Sequence, residues 1–585
     1  MTTQPATPAT EQQVDPVTYE VIRHRLWSIN DEQGLIAARI SGSPAIYEAY
    51  DFNAAILDRD GACLFLGVYV TFLGTTLSQV VRTVLERFEG NIEDGDIFVT
   101  NDPWAGAMHM NDFLVVAPVF DGGELICWTG VAMHESDVGG PVPGSFVVGA
   151  TDVYGESPLI PPLKLAEKGK LRGDIEALLL RNTRTAPLNA LNFRARVAAQ
   201  VITRKRILGV VERYGRETLL AVIVELKRQV AAAVRQRLAS LPDGQWSERL
   251  YIDHDGNNDE LYPVLLTMTK SGERLTFDFT GTAKQAPGMI NCARSGLEGG
   301  VMSAVLPMLC YDIPWTPGAL DDVIEIISEE GTVNNAQYPA AVSMATISAG
   351  WMTGNVCNSC IAKMFAASDE YRDEVQACWY PGWHGLVIAG LDQYGAPLAA
   401  ILMDTAGGGG GARSIEDGID VGGYLCAIST ALPNVETNER LYPILELYRR
   451  QSPDTAGAGR FRGGVASELA FTPHKTQAPL QAIVFSTGGD YPAAPGIYGG
   501  GPSSVQRHVV LRGTDIAEKL AASDVPESLD ELTETGREVL QTKDVTVLGP
   551  GDVHLAHTSS ESVPVADLVA CAQALAVAAM RFCGT

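Results

Sequence analysis

The frame Ala-Met-His-x-x-Asp occurs twice in this chain, as "AMHMND" ending at Asp112 and as "AMHESD" ending at Asp137. Between and beside the two copies run "FLVVAPVF" and "LICWTGVAMH", apolar stretches rich in β-branched residues around the turn "DGGE". Such runs, broken by a glycine-rich turn, read as strands. His109 then falls in a loop of Gly, Pro and Asn just before one strand, and His134 where the other strand finishes. Strand ends and loops are where a rigid scaffold presents chemistry.

The chain has only nine histidines. With so few, one H-x-x-D is expected by chance about once in a chain of this length. Two copies in matching settings carry more weight. Neutral imidazoles combined with carboxylates suit Zn²⁺, Mn²⁺ or Fe²⁺, whereas an all-oxygen set suggests Mg²⁺ or Ca²⁺. The competing reading is a hydrogen-bonded core histidine at each position.

The flanking sequence alternates between helical and strand patterns. "DPVTYEVIRHRLWSIN" opens a helix with Asp15 as cap and Pro16 in the first turn. "YDFNAAILDRDGACLFLG" reads as a hairpin around Asp58–Gly61, and "TLSQVVRTVLERF" as an amphipathic helix. Residues 175–238 are helical in period, and "ERLYIDHDG" to "LTFDFTGTAKQAPG" shifts to a period of two. A mixed, partly helical stretch and the loop "DTAGGGGGARSIEDGIDVGG" follow, then short strands and a final helix, "ADLVACAQALAVAAMRF". The expected fold class is α+β, a large multidomain chain of antiparallel strand-rich regions and helical segments, with no Rossmann or P-loop domain. The expected division is a disordered tail over 1–13 and a metal-binding catalytic domain over 14–240. A mixed β/α region with the glycine-rich loop spans 241–446, and a strand-rich region ending in a helix spans 447–585.

Several function classes are excluded. The net charge of −27 argues against a nucleic-acid partner, because phosphate binding needs a basic face and the basic clusters here are short and scattered. No apolar run approaches the roughly 18 residues of a membrane span, and the first residues do not read as a signal peptide, so a cytoplasmic location is expected. Ten cysteines without framework spacing read as reduced thiols, and Cys357-x-x-Cys360 as two small apolar groups on a helix. Gly407 to Gly411 lacks the Lys-Ser/Thr pair of a phosphate loop and reads as a flexible active-site loop. Neither G-x-S-x-G nor H-E-x-x-H occurs.

The segments "VTYEVIRHRLWSINDE", "YDFNAAILDRDG", "GDIFVTNDPWAGAMHMNDFLVVAPVF", "HESDVGGPVPGS", "IPPLKL", "DFTGTAKQAPGMIN" and "SPDTAGAGRFRGG" come in the order seen in the hydantoinase B/oxoprolinase family. The chain resembles that family from about Val14 to Leu548. The resemblance implies the β-type subunit of an ATP-dependent cyclic-amide hydrolase, acting on a lactam, hydantoin or oxoproline-like ring. It also implies one divalent transition metal, Zn or Mn, held by Asp51, His109, Asp112 and His134. A hydantoinase A-like partner would bind ATP–Mg and phosphorylate the carbonyl oxygen, in a hetero-oligomer such as a heterotetramer. Water activated by the metal would then attack, with Asp112 or Asp137, and less so Glu135, taking its proton. The alternatives are the metal-bearing subunit of an ATP-dependent ketone carboxylase, and a non-catalytic scaffold for an ATP-binding partner. Two departures bear on the substrate: Phe72-Leu73-Gly74 stands where many members carry His-Leu-Gly, and "GPGDVHLAHTSSESVPV" replaces a glycine-rich ending.

Overall fold

Asp15 starts the first helix, α1 (Pro16–Ile40), by accepting the backbone N–H groups of Val17 and Thr18, with Pro16 in the first turn. This computed structural model describes residues 14–556 apart from 384, 477, 486 and 541–544. The expected N-terminal tail and the expected final helix lie outside the described residues.

The site is carried by a seven-stranded sheet. Its strands are β1 (Phe52–Asp58), β2 (Cys63–Leu66), β3 (Ile97–Thr100), β4 (Asp112–Asp121), β5 (Glu124–His134), β6 (Leu163–Glu167) and β7 (Lys170–Leu171). Their order is β2-β1-β5-β4-β3-β6-β7, antiparallel throughout. The β1–β2 turn forms because Asp58 Oδ1 accepts the N–H groups of Asp60 and Ala62 while Gly61 takes a φ of 87°. Helices cover both faces. Phe52, Ala54, Val131 and Met133 face Ala37 and Ala38 of α1 and Ala195 and Ala199 of α3 (Ala186–Tyr214). On the other face lies α2 (Thr71–Arg87), where the absent side chain of Gly130 leaves room for Leu77. A sheet covered twice has apolar residues at every position, so its strands show continuous hydrophobic runs instead of alternation.

The helix α3 also sends polar groups into the sheet. Gln200 Oε1 accepts from Thr129 Oγ1, and its Nε2 donates to the Val115 carbonyl at 3.3 Å. Arg196, fully buried, donates to Glu135 Oε1 at 2.6 Å and to the Met133 carbonyl at 2.8 Å.

After α4 (Arg216–Ser240), the period-two stretch forms β8 (Gly244–Ile252), β9 (Tyr262–Ser271) and β10 (Arg274–Asp278), an antiparallel meander. β11 (Ile324–Ile327) joins β10 in parallel, the one parallel pairing among the described strands. Helices α5 (Arg294–Leu309) and α6 (Ala349–Ala366) pack together; α5 lies behind α2, and α6 lies against β8 and β9. Two further sheets follow. One has the order β13-β12-β16-β19 and the other β14-β15-β20-β17-β18, built from β12 (Gly385–Leu391), β13 (Pro397–Ile401), β14 (Ile444–Gln451), β15 (Ser467–Pro473), β16 (Leu480–Phe485), β17 (His508–Arg512), β18 (Gly536–Leu540), β19 (Val545–Leu548) and β20 (Val553–Ala556). They meet through Leu386, Ile388, Leu469, Phe471 and Val510. The fold is α+β, as expected from antiparallel sheets with helices packed on them. No helix among the described residues is long and apolar enough to cross a membrane.

One expectation is corrected. The run Gly407 to Gly411 is almost wholly buried rather than an open, flexible loop. A Cβ at Gly409 would overlap the Gly464 carbonyl, and one at Gly411 the Ala377 carbonyl. Glycine is needed here because backbones run in contact.

The buried Arg196–Glu135 pair generates a stability test. Arg196→Ala strands a buried carboxylate and should cost about 3–5 kcal/mol. The combination Arg196→Met with Glu135→Gln should cost clearly less, read from urea unfolding midpoints.

Candidate metal centre

The β4–β5 hairpin explains the spacing of the two frames. Asp112 opens β4 and His134 closes β5, and the antiparallel register sets them directly opposite each other. β1 borders β5 on its other side with Phe52 opposite Met133, so Asp51, just before β1, arrives at the same edge. The Asp51 carbonyl accepts the His134 N–H at 3.2 Å. His109 reaches this edge from the preceding loop, which is pinned by Asn101 Nδ2 on the Met110 carbonyl (2.9 Å) and Asn111 Nδ2 on the Gly144 carbonyl (3.0 Å).

The side chains converge on one point. Asp112 Oδ1 lies 3.3 Å from His109 Nε2 and 3.3 Å from His134 Nδ1. Those three atoms lie within 4.8 Å of one another, and all three residues are buried. Asp51 Oδ2 stands further off, 3.9 Å from His134 Nδ1, with its side chain 17% exposed. The structure therefore groups three of the four expected ligands tightly and sets Asp51 at their margin.

The donor chemistry fits a divalent transition metal. His109 Nδ1 meets the Ser343 carbonyl at 2.9 Å, an acceptor that fixes the tautomer and leaves Nε2 free as a ligand. Asp112 Oδ2 and His134 Nε2 are buried without a hydrogen-bond partner among the described residues. Burial alone would raise the Asp112 carboxyl, but the two imidazoles hold it well below the usual carboxylate range. Burial likewise works to lower His109, yet Asp112 beside it carries the net shift upward. Burial pushes Asp51 up, with His134 opposing.

The other two sequence candidates are placed elsewhere. Glu135 follows His134 and points to the opposite face, where Arg196 (2.6 Å) and Asn192 (2.7 Å) hold both its oxygens. Asp137 accepts from the N–H groups of Gly139, Gly144 and Arg184 and from Arg184 Nη1 at 3.0 Å. Neither lines the cavity beside the histidines. Both carboxylates are consumed in holding the loop after β5, and Cys357 and Cys360 lie buried on α6, away from this cluster.

Sequence reasoning missed Glu156. Its carboxylate accepts the Val342 N–H at 2.9 Å and the Ser343 N–H at 2.8 Å, fixing the segment whose carbonyl orients His109. Burial raises its pKa to about 7, against the lowering effect of those N–H groups. It also missed most of the cavity wall, which includes Trp351, Trp383, Tyr424, Ile347 and Met403 besides Phe72. No local pattern marks these residues, since they come from segments more than two hundred positions downstream of the histidines.

Known proteins place this arrangement. The family model Hydantoinase B/oxoprolinase matches residues 15–560. The acetophenone carboxylase delta subunit of Aromatoleum aromaticum is 27% identical over 88% of this chain and 75% of its own length. Caprolactamase subunit beta of Pseudomonas jessenii is 28% identical over 82% of each chain. The crystal structure of ATP-dependent caprolactamase from the same organism shares the fold, with a TM-score of 0.82 at 23% identity, covering 94% of this chain and 91% of that one.

Glu156 titrates where the site can be interrogated. Its folded pKa lies above the ordinary carboxylate value, so the stability it contributes is fully present at low pH. That stability is lost as pH rises from about 4.5 to about 7. Metal-stripped protein should show a Tm that falls across this window, and Glu156→Gln should flatten that slope. The same variant should weaken Zn²⁺ binding by about 10–100-fold in a chelator competition, with unchanged circular dichroism.

Proposed function

Because the chain belongs to the hydantoinase B/oxoprolinase family, we propose that it is the metal-bearing subunit of an ATP-dependent enzyme that opens cyclic amides. The observation that carries this reading is the meeting of His109, Asp112 and His134 at one point beside an apolar cavity. Its relatives are named as subunits, which supports a partner chain of hydantoinase A type supplying ATP. The location expected from this reading is cytoplasmic.

An unstrained amide is a poor electrophile. Phosphorylation of its oxygen on the partner turns that oxygen into a leaving group. Water then adds to the carbon, the tetrahedral carbon expels the ring nitrogen as the added water's proton passes to it, and a second water cleaves the resulting acyl phosphate to carboxylate and phosphate. In this chain His109 Nε2, Asp112 Oδ1 and His134 Nδ1 would hold a Zn²⁺ or Mn²⁺ ion, with Asp51 completing the set. Such an ion supplies Lewis acidity when bound. Asp112 Oδ2, kept ionised by the two imidazoles, is placed to accept a hydrogen bond from the attacking water and orient it. Glu135 and Asp137 act at a remove, by holding the end of β5 and the loop after it. Similarity to the acetophenone carboxylase delta subunit favours one second reading, in which a phosphorylated enol is carboxylated at the same centre.

Asp112→Asn separates the two half-reactions. It removes the charge without much change of shape, so metal should be lost. Substrate phosphorylation on the other chain should continue slowly, giving phosphate release without ring-opened product. Wild type should release the two in equal amounts. Product formation at the wild-type rate by Asp112→Asn would remove that residue from the mechanism, with native mass spectrometry confirming assembly.

A further inference from the structure

The cavity beside the metal centre is walled by rings. Phe72 lies 6.5 Å from Trp351 between ring centroids, Trp351 meets Tyr424 edge-on at 5.1 Å, and Trp383 lies 6.3 Å from Tyr424. Ile347, Met403 and Leu73 are also part of the wall. The rings are held firmly: Trp351 Nε1 donates to the Tyr380 carbonyl at 3.1 Å, and Tyr380 stacks on Tyr424 at 12°.

Two further features concern charge. Among the described residues that line the cavity there is no lysine or arginine. Behind Met403, Arg449 is committed to Asp404 and to the Pro433 carbonyl. Among the polar groups of the wall are two neutral donors, Tyr424 Oη and Trp383 Nε1. Both are buried and without a hydrogen-bond partner among the described residues. Burial, followed by the neighbouring Tyr380, keeps the Tyr424 phenol protonated.

We infer that this wall selects substrates whose body around the reacting carbonyl is uncharged and apolar, with Phe72 and Trp351 gripping the ring and Tyr424 and Trp383 offering donors to a neutral acceptor. The inference rests on the metal-centre reading above and deepens it. A ring bearing a carboxylate on the side away from the metal would press that charge against the apolar wall, where no lysine or arginine pairs it, and an unpaired buried charge is strongly disfavoured. The phosphate added on the partner does not conflict with this, because it sits on the reacting oxygen and so faces the centre, not the wall. The same chemistry is presented by an unsubstituted lactam and by an aryl ketone.

Phe72 stands in the first turn of α2, on the wall of this cavity. Its backbone lies close against α5, where a side chain on Gly299 would press on it.

The experiment is calorimetric binding to the full-length, Zn²⁺-loaded chain. The probes are a seven-membered unsubstituted lactam, 5-oxoproline as a carboxylated lactam, and an aryl methyl ketone. The uncharged probes should bind at least about tenfold tighter than the carboxylated one. Phe72→Ala should weaken the lactam about tenfold while metal content stays at the wild-type level. Should that variant fail to fold, Phe72→Leu and Tyr424→Phe serve, the latter expected to weaken the lactam about fivefold. Equal or tighter binding of 5-oxoproline, no binding of either uncharged probe, or lactam affinity indifferent to all these variants would overturn the inference. Product analysis on the assembled enzyme separates this from the functional reading. Ring opening together with a preference for the carboxylated ring defeats only the selectivity. Carboxylated ketone without ring opening defeats only the hydrolase assignment.

Discussion

The register of the β4–β5 hairpin is the constraint on which the site depends. With Asp112 opposite His134, two groups distant in sequence share one edge of the sheet, and β1 delivers Asp51 to the same edge. Side chains alternate along a strand, so a slip of one residue would carry His134 to the opposite face. That face is already occupied: Glu135 points there and is captured by Arg196 and Asn192. The buried ion pair thus penalises the wrong register, because a slipped strand would strand Arg196 among apolar groups. Gly130 adds a second lock, since only there does the strand leave space for Leu77 of α2.

Much of this was legible in the sequence, and for physical reasons. The α1 cap, the Asp58–Gly61 turn and the helices after Ala186 follow from local chemistry, and each formed within a few residues of its expected place. His109, Asp112 and His134 were legible because strand ends and the loop joining them are also local. The misplacement of Glu135 was avoidable: it is adjacent to His134, and alternation alone sends it to the other face. Asp137 was harder, because its fate is decided by Arg184, which arrives from a separate segment.

What stayed hidden was assembled from afar. Ser343 and Glu156 position His109 through backbone groups, which leave no trace in residue type. The rings of the cavity wall read locally as ordinary core residues, and only the packing of α6 and the segments after it against the sheet edge brings them around one cavity. The glycine run misled for a related reason. Glycine serves an open loop and a close backbone contact equally well, and sequence does not separate the two.

The electrostatics of the centre explain why this geometry is costly unless it binds a cation. Asp112 is buried with one oxygen facing two imidazoles and the other facing no partner among the described residues. A buried carboxylate needs a compensating positive charge, and the two imidazoles beside Asp112 hold it below the usual carboxylate range. A divalent ion at the same point would supply that charge more fully. The Ser343 carbonyl opposite Nδ1 works in the same direction, because it keeps the remaining ring proton on Nδ1 and Nε2 available. Glu156 holds that carbonyl in place from a position where it meets neither the ion nor the substrate. The sheet register, the tautomer of one histidine and the fixed segment at Val342–Ser343 together set two imidazoles around one buried carboxylate, the arrangement on which the proposed metal centre rests.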